Sequence, residues 1–88
     1  MKVKEGYRLR EIAGETIVVS IGGTALNFKE IITLNETGAF LWKQLENECH
    51  EEILLKHLLE EYDVDTKTAT SDIQCFLNKM RQADLLDE

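Results

Sequence analysis

Residues 32–42 have the sequence ITLNETGAFLW, and the spacing of their apolar side chains changes at Asn35. Up to Leu34 the residues are typical of a β-strand, whereas beyond Asn35 small and apolar residues recur at helical spacing. Asparagine is a good N-cap, and Glu36 suits the positive end of a helix. A strand is therefore predicted to end here and a helix to run from Asn35 to about Glu46. Its small and apolar positions are Gly38, Leu41, Trp42 and Leu45.

The residues before this junction predict two further strands. Polar and apolar side chains alternate over residues 7–12, which indicates a half-buried strand. Residues 13–15, Ala-Gly-Glu, then suit a tight turn. The β-branched run at residues 16–21 predicts a central strand, because a strand that is covered on both faces can be continuously apolar.

The third strand is less well defined by its sequence. Residues 25–28 and 31–34 both have strand character, and Lys29 and Glu30 between them fit either a turn or a bulge. The register of this strand around residues 22–30 therefore stays open. In a three-stranded meander the third strand lies at the edge of the sheet.

Two more helices are predicted in the second half of the chain. Apolar residues form a wide stripe from about His50 to Tyr62, and Asp65 is a suitable N-cap for a third helix that runs to about Ala83. The apolar face of that helix comprises Ala69, Ile73, Phe76, Leu77, Met80 and Ala83. Three strands followed by three helices predict an α+β fold, with the helices on one face of a small antiparallel sheet, as a single domain over residues 1–88.

The charge of the chain argues against two classes of partner. Ten Lys and Arg residues against 17 Asp and Glu residues give a net charge of −7, which opposes approach to a phosphate backbone. No apolar run approaches the about 18 residues that a membrane span needs, and the first residues lack the apolar segment of a signal peptide. We therefore expect a cytoplasmic protein that binds neither nucleic acid nor membranes.

The side chains that could carry catalysis or hold a metal form no recognisable pattern. Cys49 and Cys75 are 26 residues apart, which suits reduced thiols better than a disulfide. His50 and His57 lie near Cys49, but their spacing matches no zinc-binding pattern. We therefore expect no catalytic residue, no metal and no cofactor, and a protein that is not an enzyme.

The candidate edge strand at residues 31–34 contains neither proline nor a charged side chain. An edge strand exposes unpaired N–H and C=O groups, which a protein either blocks or offers to a partner strand. Lys29, Glu30 and a covering helix would protect the edge; without them it would accept a peptide. The residues alone support these two interpretations equally.

The junction at residues 32–42 resembles the LNxTGAxxW signature of the PqqD-like family, which is named for protein D of pyrroloquinoline quinone biosynthesis. Residues 58–65 resemble the end of the family's second helix. Residues 72–86 resemble its third helix and closing leucines, and residues 9–12 fit as well. The resemblance covers nearly the whole chain.

This resemblance implies a winged helix-turn-helix-like fold that works as a peptide chaperone, a recognition element for ribosomally made and modified peptides. It implies that the leader of a precursor peptide adds as a strand beside the third strand and packs against the third helix. The complex then docks with a modifying enzyme, often a radical S-adenosylmethionine enzyme. The groove would be lined by Ile31, Ile32, Thr33 and Leu34 from the strand and by Asp72, Cys75, Phe76 and Lys79 from the helix.

Two other functions remain open at this point. Winged helices also occur in DNA-binding and regulatory domains, because a fold does not define a function. A DNA-recognition helix needs clustered Arg and Lys, whereas the charges of the third helix are balanced in sign. They are Lys67, Lys79 and Arg81 against Asp65, Asp72 and Asp84. The other alternative is a stand-alone fragment or a swapped homodimer with a purely structural role, which a size measurement in solution would reveal.

Overall fold

A computed structural model of the chain describes residues 1–20 and 32–88. Within these ranges a sheet of three strands precedes three helices, and one further short strand lies near each end. The strands are β1 (Lys2–Val3), β2 (Tyr7–Ile12), β3 (Glu15–Ser20), β4 (Ile32–Leu34) and β5 (Leu86–Asp87), and the helices are α1 (Glu36–Gln44), α2 (Glu51–Glu61) and α3 (Thr66–Gln82). The predicted α+β fold is confirmed, and each helix begins directly after the residue predicted to start it.

The main sheet is antiparallel, with the strands in the order β2, β3, β4. A two-residue turn closes the β2–β3 hairpin, and its residues Ala13 and Gly14 have φ angles of 53° and 81°. Such turns match the right-handed twist of paired strands. β4 lies beside β3 with Thr33 opposite Ile17. The prediction that β3 is central is confirmed, and β4 is an edge strand as far as the described residues extend.

Part of the third-strand prediction cannot be compared with the structure. The alternative strand at residues 25–28 lies outside the described residues, as do Lys29 and Glu30 with their predicted turn or bulge. The described strand begins at Ile32. The register around residues 22–30, which the sequence left open, also lies outside the described residues.

One prediction about β3 is wrong. Val18 is buried, but its neighbours Ile17 and Val19, which point to the other face, are only half-buried. Residues that lie opposite each other in paired strands share a face, and Ile32, opposite Val18, is buried as well. In the described part of the chain the helices cover this face only. The β-branched run therefore reflects strand propensity rather than burial on both faces.

The buried side chains form one cluster between the inner face of the sheet and the three helices. The buried helical residues are Gly38, Leu41 and Trp42 in α1, Leu54 and Leu58 in α2, and Ala69, Ile73, Phe76, Leu77 and Met80 in α3. The predicted apolar faces of α1 and α3 are thus confirmed, except that Ala83 is half-buried. On the second predicted helix, Leu54 and Leu58 are buried, whereas Leu55, Leu59 and Tyr62 are half-buried. Among the helices described here, none is long and apolar enough to cross a membrane.

Both predicted N-caps hold the first turn of their helix. The side-chain oxygen of Asn35 accepts a hydrogen bond from the N–H of Gly38, and that of Asp65 accepts one from the N–H of Thr68, each at 2.7 Å. The hydrogen bond from the N–H of Thr68 stabilises the Asp65 carboxylate and so lowers the pKa of Asp65. These short-range contacts explain why the helix starts could be predicted.

The periodicity of the sequence does not predict the second sheet, which consists of β1 and β5. Lys2 lies opposite Asp87 and Val3 opposite Leu86. The N–H of Val3 also donates to the carbonyl of Leu45, at the end of α1, at 2.9 Å. Two-residue strands have no measurable alternation, and their pairing joins opposite ends of the sequence. Only the packed structure reveals this pairing.

Candidate functional site

An open groove of about 420 Å³ lies between the edge strand β4 and helix α3. Six of the eight predicted site residues line it, namely Thr33, Leu34, Asp72, Cys75, Phe76 and Lys79. Ile32 does not, because its side chain is buried in the core at 7% exposure. Ile31 lies outside the described residues. The structure therefore brings together the strand and helix positions that the sequence assigned to one groove.

Sequence reasoning missed four further residues that line the groove. They are Asn35, Thr37, Gly38 and Leu41, from the junction and the first turns of α1. Their spacing contained a usable signal, since Thr37 and Leu41 are four residues apart and Gly38 and Leu41 three, which places them on one face of a helix. Gly38 is packed so closely that a Cβ there would lie 3.2 Å from the side-chain oxygen of Asn35.

The main chain of Thr33 faces the groove. Its carbonyl oxygen accepts a hydrogen bond from Nζ of Lys79 at 2.9 Å, so it points towards α3 and away from β3. In an antiparallel pair, residues alternate between bonding the neighbouring strand and directing both N–H and C=O to the other side. Thr33 is a residue that directs both groups away from β3. Its N–H therefore also points to the open edge.

The side chains of the groove divide into an apolar base and a polar rim. Leu34, Leu41 and Phe76 are buried, with at most 6% of each side chain exposed. Asp72 and Lys79 are exposed and lie two helical turns apart, so the groove has an acidic and a basic end. This arrangement suits an extended segment that has apolar side chains on one face and offers main-chain hydrogen bonds along its edge.

The cysteines and histidines do not converge on this groove. Cys75 is exposed at the rim, whereas Cys49 is half-buried and does not line the groove, and both are free thiols. Burial raises the pKa of the Cys49 thiol. His57 Nδ1 lies 2.7 Å from Oε1 of Gln44 and so joins α2 to α1. Within residues 1–20 and 32–88 no three His, Cys, Asp or Glu side chains are placed to hold a metal ion.

A second cavity, of about 470 Å³, lies on the other side of the β4–α1 junction. The β2–β3 turn, α1 and Tyr62 line it, and the rings of Phe40 and Tyr62 pack edge to face with centroids 5.5 Å apart. Phe40 is half-buried at this cavity. Trp42, on the predicted apolar face of α1, is 1% exposed.

Comparison with known proteins yields one family match. The family model for coenzyme PQQ synthesis protein D (PqqD) matches residues 7–86. The matched segment includes β2, β3, β4 and all three helices, and hence every described residue of the groove. No curated protein matches the chain.

One solved structure shares the fold over almost the full length of the chain. It is TbiB1 in complex with the TbiA(beta) leader peptide, with a TM-score of 0.73 and 23% sequence identity. The alignment covers 99% of this chain and 95% of the other. The strand and helix arrangement described above is therefore that of a protein whose structure contains a bound leader peptide.

Proposed function

The chain belongs to the family of coenzyme PQQ synthesis protein D, and from this premise we propose that it binds the leader of a ribosomally made precursor peptide in the groove between β4 and α3. The observation that carries the proposal is the convergence of the groove side chains on the outward main chain of Thr33. The protein then acts as a peptide chaperone and not as an enzyme.

Strand addition accounts for both affinity and selectivity at this groove. The leader lies beside β4, and its main chain exchanges hydrogen bonds with the N–H and C=O of Thr33. Alternate side chains of an extended peptide point to the same face. Those on the inner face contact the apolar base formed by Leu34, Leu41 and Phe76, while the others remain in solvent.

The modification itself belongs to a partner enzyme in this proposal. That enzyme is a radical S-adenosylmethionine enzyme or another modifying enzyme of the cytoplasm, to which the chain presents the bound leader. The chain contributes no cofactor and no catalytic residue; it raises the local concentration of the precursor at the enzyme.

The charges of α3 do not favour the DNA-binding alternative. Arg81 is paired with Glu88 at 2.9 Å, and Lys79 is bonded to the Thr33 carbonyl. Asp72 adds an opposing charge on the same helix, and the chain as a whole has a net charge of −7. Groove binding of a peptide needs no basic surface, whereas binding of a phosphate backbone does.

The proposal is tested by NMR titration of ¹⁵N-labelled protein with the leader of a candidate precursor, chosen by a search of the neighbouring genes for a short peptide. Amide shifts that gather at residues 33–38 and 72–79 are the expected result. A scrambled leader of the same composition is the control and should cause no such pattern. Shifts confined to β2 or α2 would contradict the proposal, because neither element lines the groove.

A further inference from the structure

Lys79 spans the groove and covers the outward main chain of the edge strand. Its Nζ donates to the Thr33 carbonyl oxygen at 2.9 Å, although the two residues are 46 positions apart in sequence. The bond is charge-assisted, because the donor is an ammonium group, and such bonds are stronger than neutral ones. In the free protein Lys79 therefore occupies the acceptor that an added strand needs.

The ammonium of Lys79 has a neutral partner, whereas Lys4, for example, is paired with the carboxylate of Asp84 at 2.7 Å. Lys79 takes part in none of the ion pairs found among residues 1–20 and 32–88. Residues three and four positions away are the ones that reach it along the chain, and none is charged. They are Cys75, Phe76, Gln82 and Ala83. Asp72 is about 10 Å away along the helix axis.

Strand addition places a peptide N–H where the ammonium now lies. A peptide N–H···O bond is about 2.9 Å long, and an added strand lies about 4.8 Å from its neighbour. The backbone of an added strand takes the outward side of the Thr33 carbonyl, which the lysine head covers in the free protein, so we infer that the lysine head moves aside. Its flexible four-carbon stem starts at the rim of the groove. The displaced charge therefore stays beside the bound peptide.

We propose that Lys79 is a charge-selective cap, which blocks the Thr33 carbonyl in the free protein and, once displaced, pairs with an Asp or Glu side chain of the incoming leader next to the residue bonded to Thr33. This inference rests on the proposed function of the groove. A carboxylate replaces the partner that the ammonium loses, whereas a neutral leader leaves the ammonium without one. The net charge of −7 repels acidic peptides from the rest of the surface, so the attraction is local.

The first experiment selects ligands without assuming their sequence. Phage displaying random 12-residue peptides are panned against the wild type, Lys79→Glu and Lys67→Glu. Lys67→Glu is the matched control, since Lys67 is an exposed lysine on the same helix that does not line the groove. Wild type and Lys67→Glu should enrich peptides with an acidic residue beside an apolar one. Lys79→Glu should enrich basic residues there instead.

The outcomes separate this inference from the proposed function. In one outcome, NMR shows that the peptides bind at residues 33–38 and 72–79, but wild type and Lys79→Glu select peptides of the same charge. This result would contradict the role of Lys79 as a cap and would still support peptide binding in the groove. A library that yields no groove-binding peptide for any of the three proteins would overturn both. Thermal melting of each variant shows that the comparison is made between folded proteins.

The second experiment measures the exchange of partners directly. An enriched peptide and its Glu→Gln version are titrated into the wild type and Lys79→Met, which keeps an unbranched stem but has no charge. The ratio of the Glu peptide's affinity to that of the Gln peptide should be about two- to fivefold larger for the wild type than for Lys79→Met, as for an exposed ion pair. The Gln peptide should prefer Lys79→Met, because no ammonium has to leave the Thr33 carbonyl. Equal affinities of both peptides for both proteins would overturn the proposal.

Discussion

The side-chain oxygen of Asn35 accepts a hydrogen bond from the N–H of Gly38 at 2.7 Å, at the point where β4 ends and α1 begins. The bond satisfies one of the free N–H groups of the first helical turn. Both residues also line the groove. The cap therefore ties the direction of the edge strand to the position of the helix beside it.

Replacing Asn35 with alanine should lower the free energy of unfolding by about 0.5–2 kcal/mol, the usual loss for an N-cap. Asn35→Ser should retain most of the stability, because serine also accepts the N–H bond. Urea unfolding followed by circular dichroism measures both. Asn47→Ala, at an exposed residue in the α1–α2 connection, is the control and should change stability little. Equal losses for Asn35→Ala and Asn35→Ser would show that the cap bond is not the cause.

Thr33→Pro should abolish peptide binding and leave the fold intact. Proline lacks an N–H, and the N–H of Thr33 points to the open edge, so the β3–β4 ladder loses no bond. Thr33→Val keeps the N–H and should bind as the wild type does. Affinity is measured by fluorescence anisotropy with a labelled leader and folding by thermal melting. A Thr33→Pro variant that melts normally and still binds would rule out strand addition at this edge.

The two cysteines should differ in reactivity towards iodoacetamide. The thiolate is the reactive form, and burial raises the pKa of Cys49, so near neutral pH less of this thiol is ionised than at its ordinary pKa. Cys75 is exposed at the groove and should be alkylated first. The alkylation rate of Cys49 should continue to rise at pH values above about 8.5, the ordinary pKa of a cysteine thiol. Peptide mapping by mass spectrometry follows both sites.

A bound leader should protect Cys75 and leave Cys49 unchanged, because only Cys75 lines the groove. The variants Cys49→Ser and Cys75→Ser assign the two rates. Protection of Cys49 with no protection of Cys75 would place the peptide elsewhere.

Ala13 has a φ of 53°, a left-handed conformation that alanine adopts at a cost. Ala13→Asn should raise the free energy of unfolding by about 0.5–1 kcal/mol, since Asn-Gly is a favoured pair in two-residue hairpin turns. Ala13→Val should lower it, because a β-branched residue is strained there. Denaturant unfolding measures both. A Val variant that is more stable than the Asn variant would contradict this description of the turn. Ala13 does not line the groove, so peptide binding should be unaffected.

Local interactions made much of the fold predictable from sequence. Asn35 and Asp65 cap their helices through contacts three residues ahead, and such contacts depend on few neighbours. The apolar face of α3 followed from helical spacing alone, and its buried residues lie where the periodicity predicts. The groove residues came from the family resemblance and from the edge position of the third strand, and the fold places six of them around the groove between β4 and α3.

The remaining features depend on contacts between distant parts of the chain. Lys79 reaches Thr33 only because the fold places α3 across the groove from β4, and no spacing in the sequence encodes that bond. The pairing of Val3 with Leu86 likewise joins the two ends of the described chain. Ile17, on the outer face of β3, is half-buried because the helices cover the opposite face. A run of β-branched residues looks the same in the sequence whether one face of the strand is covered or both are. Strand and helix propensities act over a few residues, whereas burial and capping of an edge depend on which surfaces meet.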